Sequence, residues 1–338
     1  MSERSLPRRE ALRIVAAVGL SSALGIGLVG GLVRSGRLRR VRQTRTRMGT
    51  IVTITVVHPD GGAARDMVDG AFAELTRLEG ILTRHRPEAP LGRLNRAGRL
   101  DDAPAELLHV LGAGLELAER SGGAFDPTVL PLLRLWEAAG AAGRRPDSTE
   151  LRAAHARVGW QRVRVVDRSV ELEAGTEVTL DGIAKGYVVD RTVAALVGAG
   201  AERAMVDAGG DVATGGIGSS QDPWTVAVQA PRTASAADVV RLGGGAIATS
   251  GDYLHSFTAD RTHHHILDPR TGASPDGTAS ASVVAGRAMD ADGLSTAVLV
   301  LGAADGLALL ERTPGTGGLL VDKAGREWRT RGFSDAVV

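Results

Sequence analysis

"VTLDGIAKGYVVDRTVAALVGAG", Val178 to Gly200, reads as a strand ending in Asp181, a glycine turn and a helix. A helix that opens this way presents unsatisfied backbone N–H groups and the positive end of its dipole, a combination that favours an anion such as phosphate. Many strand-to-helix turns contain glycine and bind nothing, so the turn alone leaves both readings open. Residue usage adds to it. The chain has 38 arginines and 2 lysines, and one of the lysines is Lys185, inside this turn. A compact ammonium reaches a phosphate as a point charge, which a planar guanidinium does not reproduce. With so few lysines, placement by chance stands beside the functional reading.

Working outward, "GTIVTITVV" alternates as a strand, and "ARDMVDGAFAELTRLEGILT" and "APAELLHVLGAGLELAERSGG" carry apolar residues at helical spacing, as does Leu130 to Ala139. "RVRVVDRSVELE" is a hairpin with an Asp-Arg turn. Short strands follow around Arg203–Val206, Trp224–Gln229, Val239–Leu242, Ala246–Ser250 and His263–Leu267. "SASVVA" and "GGLLVD" are strands, with helices at Asp292–Leu301 and Asp305–Arg312 between them. The regular βαβ period of a doubly wound nucleotide-binding sheet is missing, so the fold class is α+β, a mixed sheet with flanking helices. The folded domain is expected over 48–338.

Composition narrows the chemistry. The chain has no cysteine, which excludes disulfides, thiolate metal sites, a cysteine nucleophile and a lipid-modified cysteine. The net charge of +1 hides an asymmetry: residues 1–47 hold 11 basic and 2 acidic residues, leaving 29 basic against 37 acidic in the body. An acidic body excludes nucleic acid as the main partner. Residues 1–47 are read as a twin-arginine-type signal or membrane anchor followed by a basic linker. Arg8 and Arg9 precede Ile14–Val33, 20 uncharged residues that would just cross a bilayer. The seven arginines of "RSGRLRRVRQTRTR" pull the other way, toward a cytoplasmic body. Because a twin-arginine address is read by a receptor, the expected location is the extracytoplasmic face of the cell membrane.

"HHHILDPRTG", His263 to Gly272, is badly spaced for zinc, since neighbours on a strand face opposite ways and at most His263 and His265 converge; His255 would have to supply a third ligand. The stretch reads instead as a strand delivering one histidine beside a turn, which suits a general base. In "DADGLSTAV", Asp292 and Thr296 share a helix face and offer hard oxygen donors that suit Mg²⁺. Capping of the helix by Asp290 or Asp292 is the competing reading. "SGGAFDPTVLPLL" and "DAGGDVATGG" are glycine-rich loops, and Phe125 could stack on an aromatic ring.

In order along the chain, "MGT", "RLN", "GGAFDPTV", "LDGIAKGYVVD", "DAGGDVATGG", "AIATSGDY", "HHILDPRTG" and "ADGLSTAV" resemble the FAD:protein FMN transferase family, also called ApbE. The resemblance implies Mg²⁺-dependent transfer of FMN from FAD to a threonine or serine of an acceptor flavoprotein with an FMN-binding domain, releasing AMP. It implies FAD contacts by Met48, Ala124, Phe125, Asp126, Asp181 and Lys185. It also implies Mg²⁺ held by Asp292, Thr296 and the carbonyl of Ala184, with His265 as the catalytic residue. The chain departs from the family in three places: His85 stands where an aromatic is common, Asp207 precedes "AGG", and the lipoprotein cysteine is missing. Two alternatives remain open, a Mg²⁺-dependent FAD pyrophosphatase giving FMN and AMP, and a non-catalytic membrane-tethered flavin-binding protein.

Overall fold

The computed structural model describes residues 38–233, 235–253, 256–258 and 262–338. The expected signal or anchor in residues 1–37, and His255, lie outside the described residues. In chain order the strands are β1 (Arg39–Arg47), β2 (Thr50–His58), β3 (Arg99–Leu100), β4 (Val163–Val166), β5 (Ser169–Leu172), β6 (Arg203–Ala208), β7 (Asp211–Gly215), β8 (Trp224–Gln229), β9 (Ala236–Leu242), β10 (Ala246–Gly251), β11 (Thr278–Ala285), β12 (Gly317–Asp322) and β13 (Glu327–Arg329). The helices are α1 (Gly61–Leu82), α2 (Pro90–Ala97), α3 (Ala105–Arg120), α4 (Leu130–Ala141), α5 (Ser148–His155), α6 (Ala184–Gly198), α7 (Ala288–Glu311) and α8 (Arg331–Ser334).

Eight strands form one sheet in the order β1-β2-β6-β7-β10-β11-β12-β13, and every pairing in it is antiparallel. Both faces are covered. One face meets α1, α6 and α7, and its inward residues are mostly small: Ala204, Ala208, Ala213, Ala246, Ala248 and Ala281. Small residues let the helices approach the strands closely. The other face carries Val212, Ile247, Val284, Leu319 and Val321, which pack under the β8–β9 hairpin and Phe333 of α8. Two-sided burial explains why β11 is buried along its whole length, including Thr278, Ser280 and Ser282.

The α+β class, the Asp167-Arg168 hairpin and the long helices stand as expected, but the sheet, expected to be mixed, is antiparallel throughout, because hairpins and long returns rather than parallel crossovers join its neighbouring strands. Four local expectations are corrected. First, Arg39–Arg47 is not a linker but the edge strand of the sheet, paired along its length with β2. Val41, Gln43, Arg45 and Arg47 face inward on it, with the guanidinium of Arg45 over the Phe72 ring, so an arginine-rich stretch still has a packing face. Second, Val178–Leu180 is extended but joins no sheet. The Asn95 side chain takes both the N–H and the C=O of Val178 (2.7 and 2.8 Å), and Thr179 N donates to Pro127 O. Third, His263–Leu267 is not a strand; it holds only an isolated bridge between His264 and Ser256. Fourth, the two C-terminal helices are one run interrupted at Gly302, where φ is +77°. This α7 is long and apolar enough to cross a membrane, yet it lies in the core, packed on β10, β11 and β12 beside α6.

Candidate functional site

The turn of Val178–Gly200 meets α7 at one end of the large sheet. Gly186 is required there, because the carbonyl of Ala288 occupies the space a side chain would need. At this close approach the two helices cap each other. Asp292 accepts from Gly186 N (2.9 Å) near the start of α6, and Asp190 accepts from Ala288 N (2.7 Å) and Met289 N (2.9 Å) at the start of α7. The α7 cap is therefore Asp190, not Asp290 or Asp292. Since α7 already begins at Ala288, Asp292 lies a turn inside it, and Asp290 pairs with Arg287 instead.

Reciprocal capping buries charge. Asp292 is 4% exposed, and burial together with the neighbouring Asp211 carboxylate pushes it up to about 7, against the opposing pull of Lys185 and the Gly186 N–H. Asp211, at the start of β7, is also raised by burial and holds the Lys185 ammonium in an ion pair. For Lys185 burial acts downward, but Asp211, Asp292 and Asp181 outweigh it and keep the amine protonated. Lys185 thus enters the site already paired, rather than as an isolated point charge. A second cation would relieve Asp292, and its surroundings suit one. The Thr296 hydroxyl lies 3.1 Å from Ser250 Oγ, and a Cβ on Gly182 would lie 3.2 Å from it, which places Thr296 against the turn that leads into Ala184. Among the described residues no group of three or more His, Asp or Glu forms a metal cage. A hard cation here would use one carboxylate, a hydroxyl and backbone carbonyl oxygen, the donor set expected of Asp292, Thr296 and Ala184.

The loops converge on the same place. The ring of Phe125 is 5% exposed and packs on Gly182 and Gly114, so it is part of the core and not a stacking face presented to solvent. Ala124 is buried beside it. The Asp126 carboxylate accepts from Thr128 N (2.8 Å), Thr128 Oγ1 (2.6 Å) and Trp160 N (2.9 Å), which fixes the loop itself. Burial nevertheless raises its pKa, outweighing those bonds. Met48 sits with Gly49 in the two-residue turn between β1 and β2, both at positive φ (51° and 70°), as a tight hairpin requires. This turn lies beside the β6–β7 turn, where the Thr50 side chain fills the space above Gly209. Asp181 is half exposed and receives Arg84 Nε at 2.7 Å, while the other arm of Arg84 reaches Glu137 at 3.0 Å.

The three adjacent histidines have three different environments. His263 stacks on Trp136 with ring centroids 4.4 Å apart. His264 is fully buried, and burial, helped by His265, pulls it down to about 4. His265 is half-buried, edge-on to His264, and is followed by Ile266, which belongs to the same core cluster as Phe125 and Ala184. The turn after it is as expected: Gly272 N donates to Asp268 O, and Trp136 Nε1 donates to Gly272 O at 2.8 Å. A Cβ on Gly123 would lie 3.7 Å from the Arg270 side chain, so this turn adjoins the loop of Phe125.

Residues 48–338 match the ApbE family. The chain belongs to this family. Over 339 aligned residues it is 30% identical to the FAD:protein FMN transferase of Treponema pallidum, covering 93% of this chain and 92% of that one. The ApbE protein of Thermotoga maritima superposes with a TM-score of 0.80 at 30% identity, covering 88% of this chain and 99% of the other. The flavinyl transferase ApbE of Pseudomonas stutzeri, in its apo form, gives 0.78 at 29% identity over 92% and 98%. The relatives' names make this ApbE chain a transferase. Three of its residues were not legible beforehand as site residues. Asp211 stands directly after the Gly-Gly turn, a position that could have signalled it. Arg84 and Asp190 are ordinary in sequence, and only their partners distinguish them.

Proposed function

We propose that this chain is a Mg²⁺-dependent FAD:protein FMN transferase that moves FMN from FAD to a threonine or serine hydroxyl of an acceptor flavoprotein and releases AMP. The observation that carries the reading is the convergence of a buried, cation-seeking Asp292 and Thr296 on the helix-start turn of Asp181–Lys185, in a chain whose relatives bear that name. The helix start and Lys185 favour the diphosphate; Lys185 is kept protonated and in place by Asp211. When bound, Mg²⁺ held by Asp292, Thr296 and the Ala184 carbonyl would offset charge on the phosphate oxygens. His265 takes the proton of the acceptor hydroxyl as its oxygen bonds to the FMN phosphorus. The bond from that phosphorus to the AMP phosphate breaks, and AMP leaves. Met48 and the Ala124–Asp126 loop form the flavin side of the cleft. We further place the enzyme at the extracytoplasmic face of the membrane, held by the apolar stretch before the fold.

The test is incubation with FAD and Mg²⁺, with and without an acceptor domain, following AMP and acceptor mass. An FMN-sized gain that requires Mg²⁺ is expected. FMN and AMP formed equally well without acceptor would make the chain a hydrolase. Tight flavin binding with no AMP would make it a carrier.

A further inference from the structure

The large sheet has two chemically different ends. The candidate site occupies the end where β1 turns into β2 and β6 into β7. At the opposite end β1 begins at Arg39, beside the start of α1, since a Cβ on Gly61 would lie 3.1 Å from the Arg39 side chain. There, too, Glu202 N donates to Val57 O, and Gly218 N donates to Glu202 O at 3.0 Å, which brings the loop after β7 alongside. This end exposes Ile217 (83%), the most exposed large apolar side chain among the described residues, with Val197 (36%) at the end of α6. Arg39, beside Gly61, and Arg40, over the Trp224 ring, are both exposed at this end. The acidic groups nearby are largely engaged: Asp60 caps α1, Asp222 pairs with Arg203, and Glu202 is half-buried.

An exposed isoleucine on a sheet end that also bears arginines is poorly suited to bulk water and well suited to a headgroup layer, where apolar side chains insert and guanidinium groups meet phosphate. The chain itself points to that occupant. Only five residues separate the apolar stretch Ile14–Val33 from Arg39, a span of no more than about 20 Å when fully extended. We infer that this end of the sheet rests on the anionic lipid surface of the membrane that holds the apolar stretch. The inference rests on the anchoring part of the proposed function. It has a geometric consequence. β1 runs from this end to the site, and its nine residues span about 30 Å, so the site faces away from the bilayer at roughly that height. An acceptor must then present its hydroxyl well clear of the headgroups.

A chain without cysteine allows one label at a time. Full-length Ile217→Cys and Glu88→Cys, the second in the loop after α1 at the site end, would each carry an environment-sensitive fluorophore. Each is reconstituted into phosphatidylcholine–phosphatidylglycerol vesicles containing headgroup-nitroxide lipid. Strong quenching at position 217, little at 88, and less at 217 in pure phosphatidylcholine or in Arg39→Gln/Arg40→Gln is expected. Equal quenching at both positions, or more at 88, in chains that float with the vesicles would overturn the orientation. A chain that does not float with vesicles overturns both the anchor and the orientation, while FMN transfer, assayed separately, stands or falls on its own.

Discussion

The α6–α7 junction and the His263–Gly272 segment both carry residues expected at the site, but they are held in opposite ways. The junction consists of two helix starts capped by each other's carboxylates, closed over Gly186 and backed by the core. The histidine segment has no strand of its own; isolated bridges, the Ser274–His264 hydrogen bonds and stacking on Trp136 hold it. Groups that must meet a fixed charge gain from a rigid, preorganised setting, because reorganisation at the moment of reaction costs rate. Under the proposed function, a proton acceptor that must also admit a second protein is well placed on a loop. The division suggests that charge handling and proton transfer can be damaged separately.

The largest effect is expected at the rigid side. Asp292→Asn keeps the acceptor for Gly186 N but removes the charge, and should lower Mg²⁺-dependent AMP release about 10³-fold or more. The same change should stabilise the metal-free protein above pH 7. The native carboxyl has its folded pKa raised to about 7, so ionising it weighs against folding as pH rises through that value, and Asn carries no such charge. Chemical denaturation at pH 8 and pH 4 checks the sign, with the difference confined to the higher pH. On the loop side, His265→Ala should reduce transfer by about 10²-fold or more while leaving FAD affinity and Mg²⁺ dependence in place, as measured by single-turnover kinetics and equilibrium binding.

Smaller effects sharpen the contrast. His264 is held neutral, with its pKa at about 4 against an unfolded 6.5, so its contribution to stability is complete above pH 6.5 and is lost as pH falls through 4. That loss amounts to roughly 3–4 kcal/mol at about 1.4 kcal/mol per unit. In His264→Leu the stability should fall less between pH 7 and pH 4, as read from urea midpoints; an unchanged slope would mean the ring titrates normally. Last, Met48→Gly relieves a side chain from positive φ and should raise stability by roughly 0.5 kcal/mol, while weakening FAD binding if the Met48 side chain touches flavin.

Much of the fold is legible because its signals are local. The hairpin at Asp167, the helix of Ala105–Arg120 and the buried run of β11 each follow from a periodicity or a turn that a few consecutive residues carry. Arg39–Arg47 does not read as a strand because its inward face uses arginine stems where apolar side chains are usual. Val178–Leu180 reads as a strand but is not one, because Val178 takes its hydrogen bonds from the side chain of Asn95, 83 residues away, and Thr179 bonds to Pro127. The site divides along the same line. Asp292, Thr296, Lys185 and His265 stand in short, unusual runs, whereas Arg84, Asp190 and Asp211 matter through partners distant in the chain.

By itself, the amino-acid order determined the family, the succession of elements and the residue types available for charge, proton transfer and hard-cation chemistry, since each is written in stretches of a few residues. Tertiary structure alone decided which carboxylate caps which helix, which of the three histidines ends up fully buried, and that Lys185 is held by Asp211. Those outcomes depend on antiparallel register and on helix–helix approach at Gly186, where the energies of burial and pairing are set by residues about a hundred positions apart.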